Sequence, residues 1–258
     1  MRTFLSSRFR PLCFLVMLLR AAPVAGAVPG VNFFVNDCGG GVPTTSASNL
    51  CTTNTGTAFK VIGSMLMSAG TLQQFSGCES RLDIQTDATG GIEDWWRADA
   101  CRPTGFVAAG DVNGIGGSCP TVWDNVTPSG TTLNAFVEPG APDGRIRFLV
   151  STVIDAATAA TTNLVSDGAT EVSVFSLTVL RVNSIGPGAC AGCGHAACLV
   201  LNEIAVRSLL DVPATALRLT DPLTSRHVSY NGSLTTLVCP SSVPVRMRTW
   251  GMVKALYR

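Results

Sequence analysis

The chain of 258 residues is short of charge, of lysine and of histidine. Charged residues make up 14% of it, well below the ~25% of an ordinary soluble domain. Two lysines stand against sixteen arginines, and the formal net charge is only +1. That balance leaves no basic field for nucleic acid, so no nucleic-acid partner is expected. Only two histidines are present, His195 and His227, and neither a G-x-S-x-G elbow nor an H-E-x-x-H pair occurs. A Ser–His–Asp set assembled from scattered residues would have to use one of these two imidazoles. No catalytic residue and no cofactor is assigned on this basis. Internal repeats are absent, which excludes a propeller or solenoid. No Pro- or Ser-rich linker divides the chain.

What is abundant points elsewhere. Hydrophobic residues reach 46%, too many for a disordered chain. Glycine contributes 26 residues, threonine 27 and cysteine ten. The N-terminus carries Arg2, Arg8 and Arg10, then the apolar run Pro11–Leu19, then Ala25 and Ala27 in an A-x-A pattern. This is the plan of a secretory signal peptide, with residues 1–27 removed. The apolar run is far below the ~20 residues needed to span a bilayer. The mature chain, residues 28–258, is therefore expected to be exported and not membrane-spanning. Without the four arginines of the signal its net charge is −3.

Export changes the meaning of cysteine, because disulfides persist outside the cytosol. Nine cysteines remain after residue 27, an odd number. Local spacing suggests Cys38–Cys51 and Cys101–Cys119, each closing a Gly/Thr-rich loop. Cys193–Cys198 and Cys190–Cys239 are the remaining pairs, and Cys78 is the odd thiol. The cluster Cys190, Cys193, His195 and Cys198 offers the alternative of a Cys₃His zinc site. All four groups fall within nine residues, whereas structural zinc usually ties two separated ligand pairs together. The disulfide reading is preferred and no metal is assigned.

Period-two alternation and β-branched runs bounded by Gly, Pro, Asn and Asp predict strands. They fall over 31–35, 57–65, 81–86, 106–109, 145–154, 171–182 and 198–207. Residues 226–230 and 234–239 flank Asn231-Gly232, a hairpin signal. Residues 155–164 could hold a short helical turn, although their threonines favour a loop. The best helix is 249–258, with Thr249 as N-cap and Lys254 and Arg258 at its negative end. Strands without crossover helices favour an antiparallel arrangement. The expected fold is an all-β, antiparallel β-sandwich-like single domain with disulfides, its tail at 243–258 ending in a short helix.

The most site-like stretch is Glu93-Asp94-Trp95-Trp96. Sugars stack on exposed aromatic faces, and paired carboxylates can serve glycoside hydrolysis. This gives a candidate glycan- or peptide-binding surface, or a glycosidase. The same stretch also reads as a loop whose tryptophans cap the core, since Trp is usually well buried. The run from Ala109 to Gly116 resembles the opening of dockerin calcium loops at Asp111 and Asn113. Ile115 and Val122 stand where oxygen ligands belong, so a Gly-rich turn is expected instead. Asn125-Val126-Thr127 and Asn231-Gly232-Ser233 fit the glycosylation sequon.

Three segments together carry a resemblance. They are Asn36-Asp37-Cys38-Gly39, Gly188-Ala189-Cys190-Ala191-Gly192-Cys193 before Cys198-Leu199-Val200-Leu201-Asn202, and the terminal run from Trp250 through Gly251, Met252, Val253, Lys254, Ala255, Leu256 and Tyr257 to Arg258. The chain resembles a group of secreted, cysteine-containing bacterial proteins, over most of its mature length. The resemblance implies a bacterial exported protein. It brings no catalytic residue, because no activity is assigned to that group, and Cys78 is not part of it. The expected role is a secreted, non-catalytic envelope or extracellular protein in surface structure, adhesion or ligand binding. A glycan or an envelope component is its expected partner.

Overall fold

A computed structural model of the chain describes residues 28–39, 43–86, 91–98, 101–110, 115–137, 144–210 and 216–232. The segment 1–27 expected to be a signal peptide, Asp111 to Gly114, residues 234–239 with Cys239, and the helix expected at 249–258 lie outside the described residues. Among these residues the fold is mostly strand. The strands are β1 (Gly30–Val35), β2 (Ser46–Ala47), β3 (Thr57–Leu66), β4 (Gly70–Leu72), β5 (Phe75–Thr86), β6 (Phe106–Ala109), β7 (Gly130–Phe136), β8 (Arg145–Val153), β9 (Leu164–Ser166), β10 (Val172–Leu180), β11 (Ala197–Ser208), β12 (Leu217–Leu219) and β13 (His227–Tyr230). One helical turn, α1 (Ala156–Ala159), starts at Asp155, whose side chain accepts from Thr158 N. The Asx cap outweighs the low helix propensity of the threonines, but only for that one turn.

The strands form two main sheets. One has the order β1-β3-β10-β6. The other has the order β2-β13-β11-β5-β8-β7, with β12 also paired to β11. Strand pairing is antiparallel except between β13 and β2. The inner faces follow the alternation of the sequence. Val61, Leu177, Leu82, Ile84, Phe148 and Leu199 join one core cluster, and Phe106 meets Phe148 across the two sheets with ring centroids 4.9 Å apart. The antiparallel sandwich expected from the sequence is the fold observed. No helix among the described residues is long and apolar enough to cross a membrane.

Some elements escaped the sequence reading. β7 (GTTLNAF) alternates half-buried and exposed residues along the sheet edge. Its signal was the Thr131, Leu133, Ala135 spacing. β2, β4, β9 and β12 are two or three residues long and have no periodicity to read. The second strand of the expected hairpin across Asn231-Gly232, residues 234–239, lies outside the described residues. β13 itself is flanked by β11 on one side and β2 on the other.

Gly63 shows how closely the small sheet is packed. It stands in register between Phe33 of β1 and Phe175 of β10, whose rings are 6.2 Å apart. A Cβ at Gly63 would lie 2.0 Å from the Phe175 ring. The two rings cover the glycine and fill the space its side chain would take. Gly63→Ala is therefore expected to destabilise by about 1–3 kcal/mol through overpacking. Chemical denaturation at unchanged m-value measures this, and an unchanged midpoint would refute it.

Cysteine pairing departs from the spacing rule. The bonds are Cys38–Cys119, Cys51–Cys193 and Cys101–Cys190. The sequence-local pairs Cys38–Cys51, Cys101–Cys119 and Cys193–Cys198 do not form, and Cys190 is not joined to Cys239. Topology explains the change. β10 lies between β3 and β6 and runs antiparallel to both. The chain entering β3 and the chain entering β6 thus meet the chain leaving β10 at one end of the sheet. Cys51 precedes β3, Cys101 precedes β6, and Cys190 and Cys193 follow β10. Cys198 is also disulfide-bonded. Cys78, on the core side of β5, is the free cysteine among the described residues. Burial pushes its thiol far up, so it holds no thiolate at neutral pH.

Candidate functional site

The end of the sandwich where these disulfides gather contains the residues singled out from sequence. Asp94, Trp95 and Trp96 form a 3-10 turn after Glu93, anchored by Trp95 N–H donating to Ala191 O at 2.8 Å. Both indoles are fully buried, each 0% exposed. Trp95 stacks on Tyr230 at 5.5 Å, and Trp96 meets Tyr230 edge-on at 5.0 Å. Phe59 closes the box, 5.1 Å from Tyr230. Trp95 Nε1 donates to Ser184 Oγ at 3.1 Å. The tryptophans cap the core, and neither offers the exposed face that the alternative sugar-stacking reading needs. Ring area of this size is worth more in the core than on the surface, and a box of aromatic partners was there to receive it.

Arg102 seals this box from the side. Its guanidinium lies over the Trp95 ring, 3.8 Å from the centroid. Nη1 donates to Trp95 O, and Nη2 donates to Leu180 O and, at 3.3 Å, to Gly105 O. Burial lowers its pKa to about 10, partly countered by Tyr230. Sequence reasoning did not find Arg102. A lone arginine beside a cysteine carries no local pattern, and only the fold brings the three carbonyls to it.

The two carboxylates separate in role. Asp94 is exposed and pairs with Arg97 at 3.8 Å. Glu93 is largely covered and its Oε1 is hydrogen-bonded to His195 Nδ1 at 3.0 Å, while His195 itself is 63% exposed. Glu93 Oε2 is buried without a hydrogen-bond partner among the described residues. Gly192 makes this contact possible: its φ is +98°, and a Cβ there would lie 2.4 Å from the Glu93 Cβ. The alternative Cys₃His metal set is overturned. Cys190 and Cys193 are spent in disulfides to different loops, Cys198 is also bonded, and His195 faces Glu93. A sulfur held in a disulfide is no thiolate ligand.

Beside this pair runs a groove of about 630 Å³, lined by Ser46, Ser48, Asn49, Leu50, Gly194 and Asn231 among others. It is shallow and open to solvent. Its floor is held by reciprocal amide bonds. Asn49 N donates to Asn231 Oδ1 at 2.7 Å, and Asn231 Nδ2 donates to Asn49 O at 3.0 Å and to Cys193 O at 3.2 Å. Arg181 Nε donates to Asn49 Oδ1 at 3.0 Å, and Tyr230 OH donates to Cys193 O at 2.8 Å. Asn231 holds φ +47°, a left-handed conformation that Asn tolerates well. Leu50, 87% exposed, stands at the rim. The groove thus offers hydroxyl and amide groups plus one apolar contact on a rigid base. Of its lining residues only Asn231 was singled out from sequence, as a hairpin turn and a glycosylation sequon rather than as a ligand contact.

The second histidine is also accounted for. His227 lies on the outer face of the larger sheet, opposite Val200. Burial, then the charge of Arg226, lowers its pKa. The fold therefore favours the neutral ring, and the unfolded chain binds the proton more readily. Stability from this group is present above the unfolded pKa of ~6.5 and falls as pH drops below it. The melting temperature is expected to decline from pH 7 to pH 5, and less so in His227→Gln. Parallel decline in both proteins would refute the assignment.

No family model matches the chain, and neither a curated protein nor a solved structure matches it significantly.

Proposed function

We propose that the protein is a secreted, non-catalytic module of the bacterial envelope or extracellular space, acting in surface structure, adhesion or ligand binding through the groove beside Ser46–Leu50. The observation that carries this reading is the locked groove floor. Two disulfides and the Asn49–Asn231 bonds hold it in one geometry before any ligand arrives. Preorganisation of this kind lowers the ordering cost of binding. Export supports the reading: the disulfides fit an oxidising compartment, and the N-terminal segment reads as a signal peptide. The lining suits a ligand rich in hydroxyl or amide groups, a glycan or an extended peptide, because Ser46 and Ser48 supply hydroxyls and Leu50 an apolar contact.

The test is a glycan- and peptide-array screen with the mature protein, repeated with Leu50→Asp. Leu50 is nearly free of contacts, so the variant should melt at the wild-type temperature. Bound ligand should weaken at least about tenfold, which is about 1.4 kcal/mol. Binding that is indifferent to Leu50→Asp, or turnover of an array substrate, would displace the proposal.

A further inference from the structure

β2 ends the larger sheet with a backbone edge that is only partly used. The strand runs parallel to β13, with Ser46 opposite Ser229 and Ala47 opposite Tyr230. Ser229 N–H donates to Thr45 O at 2.8 Å, and Asn231 N–H donates to Ala47 O at 3.0 Å. Successive residues of a strand turn their backbone groups to opposite edges, so Thr44, Ser46 and Ser48 turn theirs away from β13. On that side Thr44 O accepts from Val35 N at 2.8 Å, an antiparallel bridge to the end of β1. β1 then departs. Asn36 takes φ +59°, and its N–H donates to Lys60 O at 3.0 Å. The ladder begun at Thr44 stops there. Among the described residues, Ser46 and Ser48 have no backbone partner on this edge, and both are exposed.

There is room beside the open edge. A hollow of about 480 Å³ separates Ser46–Ser48 from Val35, Asn36, Asp37, Ala58 and Phe59. The groove already described follows the same three residues towards Leu50 and Asn231. The edge offers an N–H and a C=O at Ser46 and again at Ser48, a repeat of about 6.6 Å. An extended peptide carries the complementary groups at that same repeat, whereas sugar hydroxyls follow no such row. The hollow also has a sign. Asp37 is the charged residue among its described lining, and its Oδ1 accepts from Cys38 N, Ser118 N and Ser118 Oγ. Burial pulls its pKa up, but the bonds from Ser118 and Cys38 outweigh that and hold the carboxyl below the usual carboxylate range. A cationic side chain beside it is favoured.

We propose that the edge of β2 at Ser46 and Ser48 takes up an extended peptide as an added strand, with a basic side chain of that peptide beside Asp37 and an apolar one against Leu50. This rests on the binding role proposed for the groove and names its ligand class. The peptide occupies the strand position that β1 gives up after Val35. Main-chain hydrogen bonds to Ser46 and Ser48 supply affinity, and the contacts to Asp37 and Leu50 supply selectivity.

The test is an array of random octapeptides probed with the mature protein, followed by titration of the strongest binder in solution. Binders should be enriched in Lys or Arg, and Asp37→Asn, which keeps the Oδ1 acceptor, should abolish that preference. Binders without it overturn the charge match. Methylating the backbone nitrogens of alternate peptide residues should weaken binding at least tenfold in one register and less than twofold in the other, because every second amide faces the edge. Equal tolerance of both registers overturns strand addition. Ser48→Pro removes an edge N–H without touching the bonds to β13. It should melt at the wild-type temperature and bind the peptide at least tenfold more weakly, and unchanged affinity overturns the proposal. Glycans that bind through Leu50 while no peptide binds would overturn the peptide and leave the groove's binding role standing. Ligands of both kinds indifferent to Leu50→Asp would remove that role as well. A dimer of the mature protein that Ser48→Pro dissociates makes a second copy the occupant and also overturns the proposal.

Discussion

Arg102→Ala is expected to lower the stability of the fold by about 3–5 kcal/mol, through a cavity and the loss of its hydrogen bonds to three carbonyls, of which Gly105 O keeps Leu180 N–H as a donor. For a chain of this size that corresponds to a melting temperature lower by roughly 10 °C. The guanidinium is fully buried, lies on Trp95, and donates to Trp95 O, Gly105 O and Leu180 O. These carbonyls belong to the Trp95 turn, the approach to β6 and the end of β10, so one side chain joins three segments. Arg102→Lys keeps the charge but has neither the planar fork nor the stacking face, and is expected to lose most of the same stability. Arg102→Met fills the volume and should lose less than Ala, because only the hydrogen bonds and the ring contact are gone. Thermal melts followed by near-ultraviolet circular dichroism report both stability and the tryptophan box. An Ala variant within about 2 °C of wild type, under 1 kcal/mol at this size, would contradict this account.

The second large effect is expected from Cys51 and Cys193. Their bond spans a sequence separation of 142, and Cys101–Cys190 lies inside it with a separation of 89. With the inner bond in place, the loop that the outer bond closes shrinks to about fifty residues. Loop-closure entropy then gives about 4 kcal/mol for the outer bond rather than the ~5 of an independent loop. Replacing both cysteines by serine should lower the melting temperature by roughly 10 °C. It should also release Asn49 and the groove floor, so the binding proposed for this groove should be lost at temperatures where the sheets remain intact. Removing both disulfides should cost slightly more than the sum of the two single effects, because each bond shortens the loop that the other closes. Strict additivity would show that the bonds act through local packing instead.

The strands were legible because each long one meets the core on alternate residues. RIRFLVSTV alternates without interruption in β8, and VSVFSLTVL in β10 buries Phe175, Leu177 and Val179. The short strands were not legible, since two or three residues cannot show a period. The Glu93–Trp96 stretch was located, but its purpose was not decided. The usual burial of tryptophan favoured a core cap over a sugar platform, and the placement of Tyr230, Phe59 and Arg102 around the two rings decides for the cap. His195 drew notice as a zinc ligand and proves to face Glu93, a residue 102 positions away.

By itself the sequence determined the all-β class and the antiparallel preference. These follow from residue chemistry repeated over short distances: alternation and turn residues. Tertiary structure alone decided which cysteines join, which aromatic rings are hidden and where a groove opens. Each of those depends on strand order. β10 settles between β3 and β6, and loops remote in sequence then share one end of the sandwich. A scarcity of charge and histidine leaves few local patterns to read, so the chemistry of this protein rests on contacts that only the fold creates.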